Sequence, residues 1–162
     1  MSSANGGTAL LIAVLVVVLL VWRQLRTRRV RRNGSLIVPL AFGLLGTLAI
    51  AFAVAWSAEH HHPLTALPIA LLVASLAVAA GFGVARARTV RVWRDTENGI
   101  LRKGTPMTTV LWLTSVAAHA GLALWIDHAA GNNVLGTASL YAYLAIGLGT
   151  QNLLVRGRAA AL

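Results

Sequence analysis

None of the 14 lysines and arginines of this chain falls inside any of its long apolar runs. They sit in three clusters instead. Six arginines crowd into "RQLRTRRVRR" (23–32), and five arginines with Lys103 occupy "RARTVRVWRDTENGILRK" (86–103). Arg156 and Arg158 close the chain. Between the clusters lie five apolar segments, at about 8–22, 36–56, 64–85, 106–126 and 133–155. A helix of about 20 residues crosses the hydrocarbon of a bilayer, so each segment is a candidate span. Backbone polar groups in hydrocarbon must satisfy one another, which leaves helix as the fold of such runs. The expected fold class is an all-α integral membrane protein with five transmembrane helices in a single membrane domain over 1–162.

Composition agrees with that reading. Hydrophobic residues make up 57% and charged residues 11%, with mean hydropathy +0.74. Soluble domains carry about 45–50% apolar and about 25% charged residues. The chain has no cysteine, which excludes disulfides, thiolate metal ligands and iron–sulfur ligation by its own side chains.

Charge placement orients the spans. In a five-span chain the loops 23–34 and 86–105 and the C-terminal tail fall on one side, and the positive-inside rule makes that side cytoplasmic. The N-terminus is then outside and the C-terminus inside, a multi-pass protein of the cell membrane. The first segment lacks a basic leader and an A-x-A-like site, so it reads as a retained span. A net charge of +10 in a soluble protein would suggest nucleic acid. Here each basic cluster hugs a membrane boundary, so nucleic acid is not an expected partner and anionic lipid is. The expected headgroup contacts are Arg23, Arg26, Arg28, Arg29, Arg31, Arg32, Arg86, Arg88 and Arg91.

Helices in lipid approach through small residues. The second segment offers Gly43, Thr47, Ala51 and Ala55 at spacing four. The third offers two rows, Ala77-Gly81-Ala85 and Ser75-Ala79-Gly83, and the fifth offers Ala145 and Gly149. The first segment is dominated by Val and Leu and is expected at the periphery. In the second basic loop, β-prone residues flank "ENG", and Asn98-Gly99 predicts a short cytosolic β-hairpin with a two-residue turn.

Candidate chemistry gathers on the expected outer half. His119 stands inside the fourth segment with Ser115 four residues earlier on the same face. His60, His61 and His62 in "AEHHHPL", together with His128, fall in the two outer loops beside Glu59 and Asp127. His119 and His128 are the candidate cofactor ligands, and His60, His61 and His62 the candidate metal ligands. Imidazoles at such sites suit haem iron or a transition metal. Three adjacent side chains do not converge on one ion, so a tight site needs His119 or His128. The plainer expectation is that the triple histidine is a polar turn, with no resident cofactor, and that His119 bonds to Ser115 or a backbone carbonyl. No carboxylate orients Ser115 and His119 into a triad, and neither "GxxxxGK[ST]" nor "HExxH" occurs. An enzyme is not expected.

A glycine-rich helix end ("AAGFGVARART") leads into "VRVWRDTENGILRKGT" and then "TTVLWLTSVAAHAGLAL". Through Gly81, Gly83, Arg86, Arg88, Arg91, Trp93, Gly99 and Trp112, residues 78–125 resemble the small bacterial integral-membrane family that includes the cytochrome-c-biogenesis protein CcdC. The resemblance implies a multi-span plasma-membrane protein without an assigned catalytic residue, linked through one member to the making of c-type cytochromes. Where that pattern leads one to expect an arginine, in the outer half of the helix after the hairpin, this chain places His119. The expected function is therefore that of a non-enzymatic accessory protein that binds another membrane protein. The alternatives are haem or metal handling on the outer face through the histidines, and a small transporter or channel.

Overall fold

The computed structural model describes residues 26–29, 36–59, 65–97, 99–131 and 134–162. The first apolar segment, the His60–His62 cluster, and Arg23, Arg31 and Arg32 lie outside the described residues. Four helices dominate the described residues: α1 (Ile37–Glu59), α2 (Ala66–Thr89), α3 (Pro106–Ala130) and α4 (Leu135–Ala160). Of these, α1, α2 and α3 are long and apolar enough to cross a membrane. These three match the second, third and fourth segments and run further. In particular, α2 continues four residues past the expected end at 85 and takes Arg86 and Arg88 into helix. Arginine is a good helix former, whereas Thr89 and Val90 are β-branched, and the chain turns extended at Val90.

Contacts between the helices fix their directions. Gly46 of α1 abuts Ala142 of α4, while Gly43 faces Ala145 and Gly149 faces Pro39, so these helices are antiparallel. Gly83 meets Gly147 and Thr150, and Ala87 meets Arg158, so α2 and α4 run parallel. Ser115 meets Tyr143 and Asp127 meets Gly136, so α3 is antiparallel to α4. Helix α4 is the hub: α1, α2 and α3 all pack on it.

Side-chain placement is the reverse of a water-soluble bundle. Buried positions of α4 include Gly136, Ser139, Tyr143 and Gly147, and those of α2 include Ser75, Ala79 and Gly83. Leu40, Leu44, Leu48, Phe52, Val73 and Leu124 point outward. Small residues inside permit close backbones, and an aliphatic exterior is what hydrocarbon solvates.

The expected small-residue rows are partly corrected. In α1, Thr47, Ala51 and Ala55 are exposed, and the buried positions are Pro39, Gly46, Ala53 and Ser57. At about 100° per residue, each step of four drifts about 40° around the helix, whereas a step of seven drifts only about 20°. Spacing seven therefore stays on the narrow face that α1 turns to α4. Of the two α2 rows, Ser75-Ala79-Gly83 is buried, because α2 packs on both α3 and α4; Ala77 and Gly81 are exposed. Ala145 and Gly149 do face α1.

The hairpin is present, with β2 (Arg91–Asp95) antiparallel to β3 (Gly99–Lys103). Its turn differs from the expected one. Asp95 pairs with Gly99, so the connection is longer than two residues, and Gly99 takes φ 74°. A glycine in the left-handed region after a longer connection is the usual way to close such a hairpin. The Asp95 carboxylate accepts from the Glu97 N–H at 3.1 Å and holds the bend. A third strand was not legible in the sequence. β1 (Arg28–Arg29), from the first basic cluster, pairs with β3 through Arg28–Arg102 and Arg29–Leu101, giving the order β1-β3-β2. Val92 of β2 joins Ala87, Val90 and Val155, seating the sheet on the ends of α2 and α4.

Threonines clamp the start of α3 to the end of α2. Thr105 Oγ1 accepts from the Thr108 N–H at 3.3 Å, and Thr108 Oγ1 accepts from the Thr105 N–H at 3.1 Å, a reciprocal cap. Thr89 Oγ1 lies 2.9 Å from Thr108 Oγ1, and the Thr105 hydroxyl donates to Thr89 O at 3.2 Å. At the other end α3 stops at Gly131, whose φ of 66° is the left-handed cap conformation.

Candidate functional site

Four residues between Ser115 and His119 put both on the face of α3 that meets α4, and both are buried. They do not bond to each other. The Tyr143 hydroxyl donates to Ser115 O at 2.9 Å, and Ser115 Oγ lies 2.9 Å from the same hydroxyl. The His119 ring packs on Tyr143 with centroids 4.5 Å apart, and its Nδ1 is buried without a hydrogen-bond partner. Of the two expected partners of His119, Ser115 or a backbone carbonyl, Ser115 is engaged by Tyr143 instead, and the His119 ring packs on that tyrosine.

Arg86 departs furthest from its expected place. Assigned above to the lipid headgroups, it is 3% exposed. Its Nε donates to Phe82 O at 3.2 Å, one turn back. Its guanidinium lies over Gly147, where an added Cβ would come within 2.7 Å of Nη2. The absent side chain at 147 makes room for the arginine to fold inward. The four carboxylates of the chain belong to other places: Glu59 at the far end of α1, Asp127 at the far end of α3, and Asp95 and Glu97 in the hairpin. A charge placed among helices is costly, so this one is a functional candidate. Sequence reasoning missed it because the apolar run ends at Ala85. The available signal was its position three residues after Gly83, on the buried row of α2.

His119 and His128 do not converge. His128 is exposed in the last turn of α3, nine residues beyond buried His119. That spacing is about 13.5 Å of rise and about two and a half turns, so the two rings leave opposite faces of the helix. Among the described residues, no three His, Asp or Glu side chains are grouped to hold a metal ion. Asp127, expected in the outer loop beside His128, belongs to α3 and caps α4: Oδ1 accepts from the Gly136 N–H at 2.6 Å.

The opposite end of the bundle gathers cations. Arg88 and Arg91 are exposed there, and Arg26, Arg28 and Arg29 lie on or beside strand β1. Burial first, and Arg28 across the strand second, push the Arg102 guanidinium below its ordinary pKa. Arg102 donates through Nη1 to Asn152 Oδ1 at 3.1 Å, tying β3 to α4. Between the last turn of α2, the hairpin and the last turn of α4 opens a groove of about 700 Å³. Arg88, Arg91, Lys103, Arg158 and Trp93 line it. By sequence Lys103 and Arg158 are topology signals, and nothing in their local sequence places them together.

Compared with family models, curated proteins and solved structures, the chain matches none.

Proposed function

We propose that this is a multi-pass, non-enzymatic accessory protein of the cell membrane, with five spans, the N-terminus outside and the C-terminus in the cytoplasm. Its basic sheet end rests on the acidic inner leaflet and there presents a surface to another membrane protein. The observation that carries the reading is the gathering of cations from all three basic clusters at one end of the bundle. The positive-inside bias makes that end cytoplasmic. Helix α4 counts as a span although it is rich in Gly, Ser and Thr, since Gly136, Ser139 and Gly147 are buried against its neighbours. The connection to cytochrome c maturation rests on the resemblance of residues 78–125 and predicts that the partner belongs to that machinery.

A second reading, a small transporter or channel, gains support from Arg86. A guanidinium among helices, followed inward by Tyr143 and His119, is the kind of polar path that ion and substrate pathways use. Haem or metal handling through His119 and His128 draws less support, since those rings diverge.

The leading reading is tested with a variant in which Trp93 is the sole tryptophan. In vesicles containing acidic lipid its emission should be quenched by headgroup-labelled lipid, and high salt should weaken the quenching. Equal quenching in neutral and acidic vesicles would refute it.

A further inference from the structure

The groove at the basic end has properties that a diffuse attraction for acidic lipid does not require. Arg91 and Trp93 stand two residues apart on β2 and so share one face of the strand. Directly across from Arg91 in the ladder is Lys103. Like charges opposite one another in a sheet repel, and an anion held between them offsets that cost. Arg88 contributes from the last turn of α2 and Arg158 from the last turn of α4. Among the described residues, no carboxylate lines the groove.

Arg158 is also fixed in place. Its Nη1 donates to Ala87 O at 2.6 Å and to Val90 O at 2.9 Å. Those carbonyls belong to the C-terminal end of α2, whose partial negative charge would otherwise repel an anion. The guanidinium covers them and leaves its other nitrogens for a ligand.

We propose that this groove is a discrete phosphate site, which takes a phosphomonoester or pyrophosphate group through Arg88, Arg91, Lys103 and Arg158. Guanidinium forks match phosphate oxygens in pairs, and four cations suit a group bearing two or more negative charges. The volume of about 700 Å³ exceeds what one phosphate fills and leaves room along Trp93 for the carrier of the phosphate. The carrier is either a lipid or a soluble molecule. The proposal rests on the reading of the basic end as anion-binding and narrows it to one stoichiometric site.

The test uses the full chain in nanodiscs of neutral lipid, titrated with inorganic pyrophosphate, and in nanodiscs containing either phosphatidic acid or phosphatidylglycerol. Calorimetry and native mass spectrometry read the binding. Saturable one-to-one binding of pyrophosphate points to a soluble carrier. Retention of one phosphatidic acid in preference to phosphatidylglycerol points to a lipid. Arg91→Gln with Lys103→Gln should weaken whichever is found by at least about tenfold, from the loss of two charge-assisted hydrogen bonds. Arg88→Gln, on the helix, gives an independent weakening that leaves the sheet untouched. Arg94→Gln with Arg156→Gln removes the same charge outside the groove and should leave binding almost unchanged. Equal weakening in the two double variants would overturn the site while leaving the attraction for acidic membrane intact. Absence of saturable binding by either phosphate probe would overturn it as well.

Discussion

Of the glycines between α1 and α4, Gly46 leaves the least room for a side chain, and adding one methyl group there tests the described packing. In Gly46→Ala the new Cβ would stand 2.5 Å from Ala142 N and 2.8 Å from Ala142 Cα. Ordinary contact begins at 3.4 Å, and both obstacles are backbone, so no side chain can rotate away. Helix α1 must retreat by roughly 1 Å, which loosens the neighbouring contacts of Gly43 with Ala145 and Pro39 with Gly149. Overpacking of this kind costs about 1–3 kcal/mol. Gly81→Ala is the matched control, because a Cβ there meets nothing within 4 Å. Both changes gain the same helix preference of alanine over glycine, about 0.5–1 kcal/mol, and that gain cancels in the comparison. Gly46→Ala should therefore be less stable than Gly81→Ala by about 1–3 kcal/mol, read by reversible unfolding in mixed detergent micelles. Equal stabilities would refute the packing of α1 against α4.

Tyr143→Phe removes the hydroxyl shared with Ser115 and should cost about 1 kcal/mol in the same unfolding assay, with the helical content retained. No loss would show that Ser115 finds another partner. Asp127→Ala leaves the Gly136 N–H without its acceptor at the start of α4 and should cost about 1–2 kcal/mol. Asp127→Asn, which keeps an acceptor oxygen, should cost less, and the reverse order of the two variants would contradict the capping role.

Periodicity and composition made the helices legible, because an apolar run of span length has one satisfactory fold in hydrocarbon. The segments at 36–56, 64–85, 106–126 and 133–155 correspond to the four helices, each extended by several residues. The hairpin was legible in "ENG", although strand pairing at Asp95–Gly99 lengthened its turn. Contacts between distant residues were not legible. Arg28 gives no local sign of pairing with Arg102, since strand addition is decided by the partner edge. Arg86 reads as a boundary arginine until Gly147, on another helix, is known to lie against it. The row Gly43-Thr47-Ala51-Ala55 has small residues at spacing four, but the drift of that spacing around the helix turns most of it outward.

The central claim is that the basic sheet end faces the cytoplasm and the ends of α1 and α3 face outward. The chain has no cysteine, so single cysteines report without background. Thr96→Cys in the hairpin, Glu59→Cys at the end of α1 and Gly131→Cys at the end of α3 are each exposed positions. Intact cells are treated with a membrane-impermeant maleimide and compared with cells opened by detergent. The account predicts labelling of the 59 and 131 variants in intact cells, and of the 96 variant only after opening. Labelling of the 96 variant in intact cells, with protection of the other two, would contradict it.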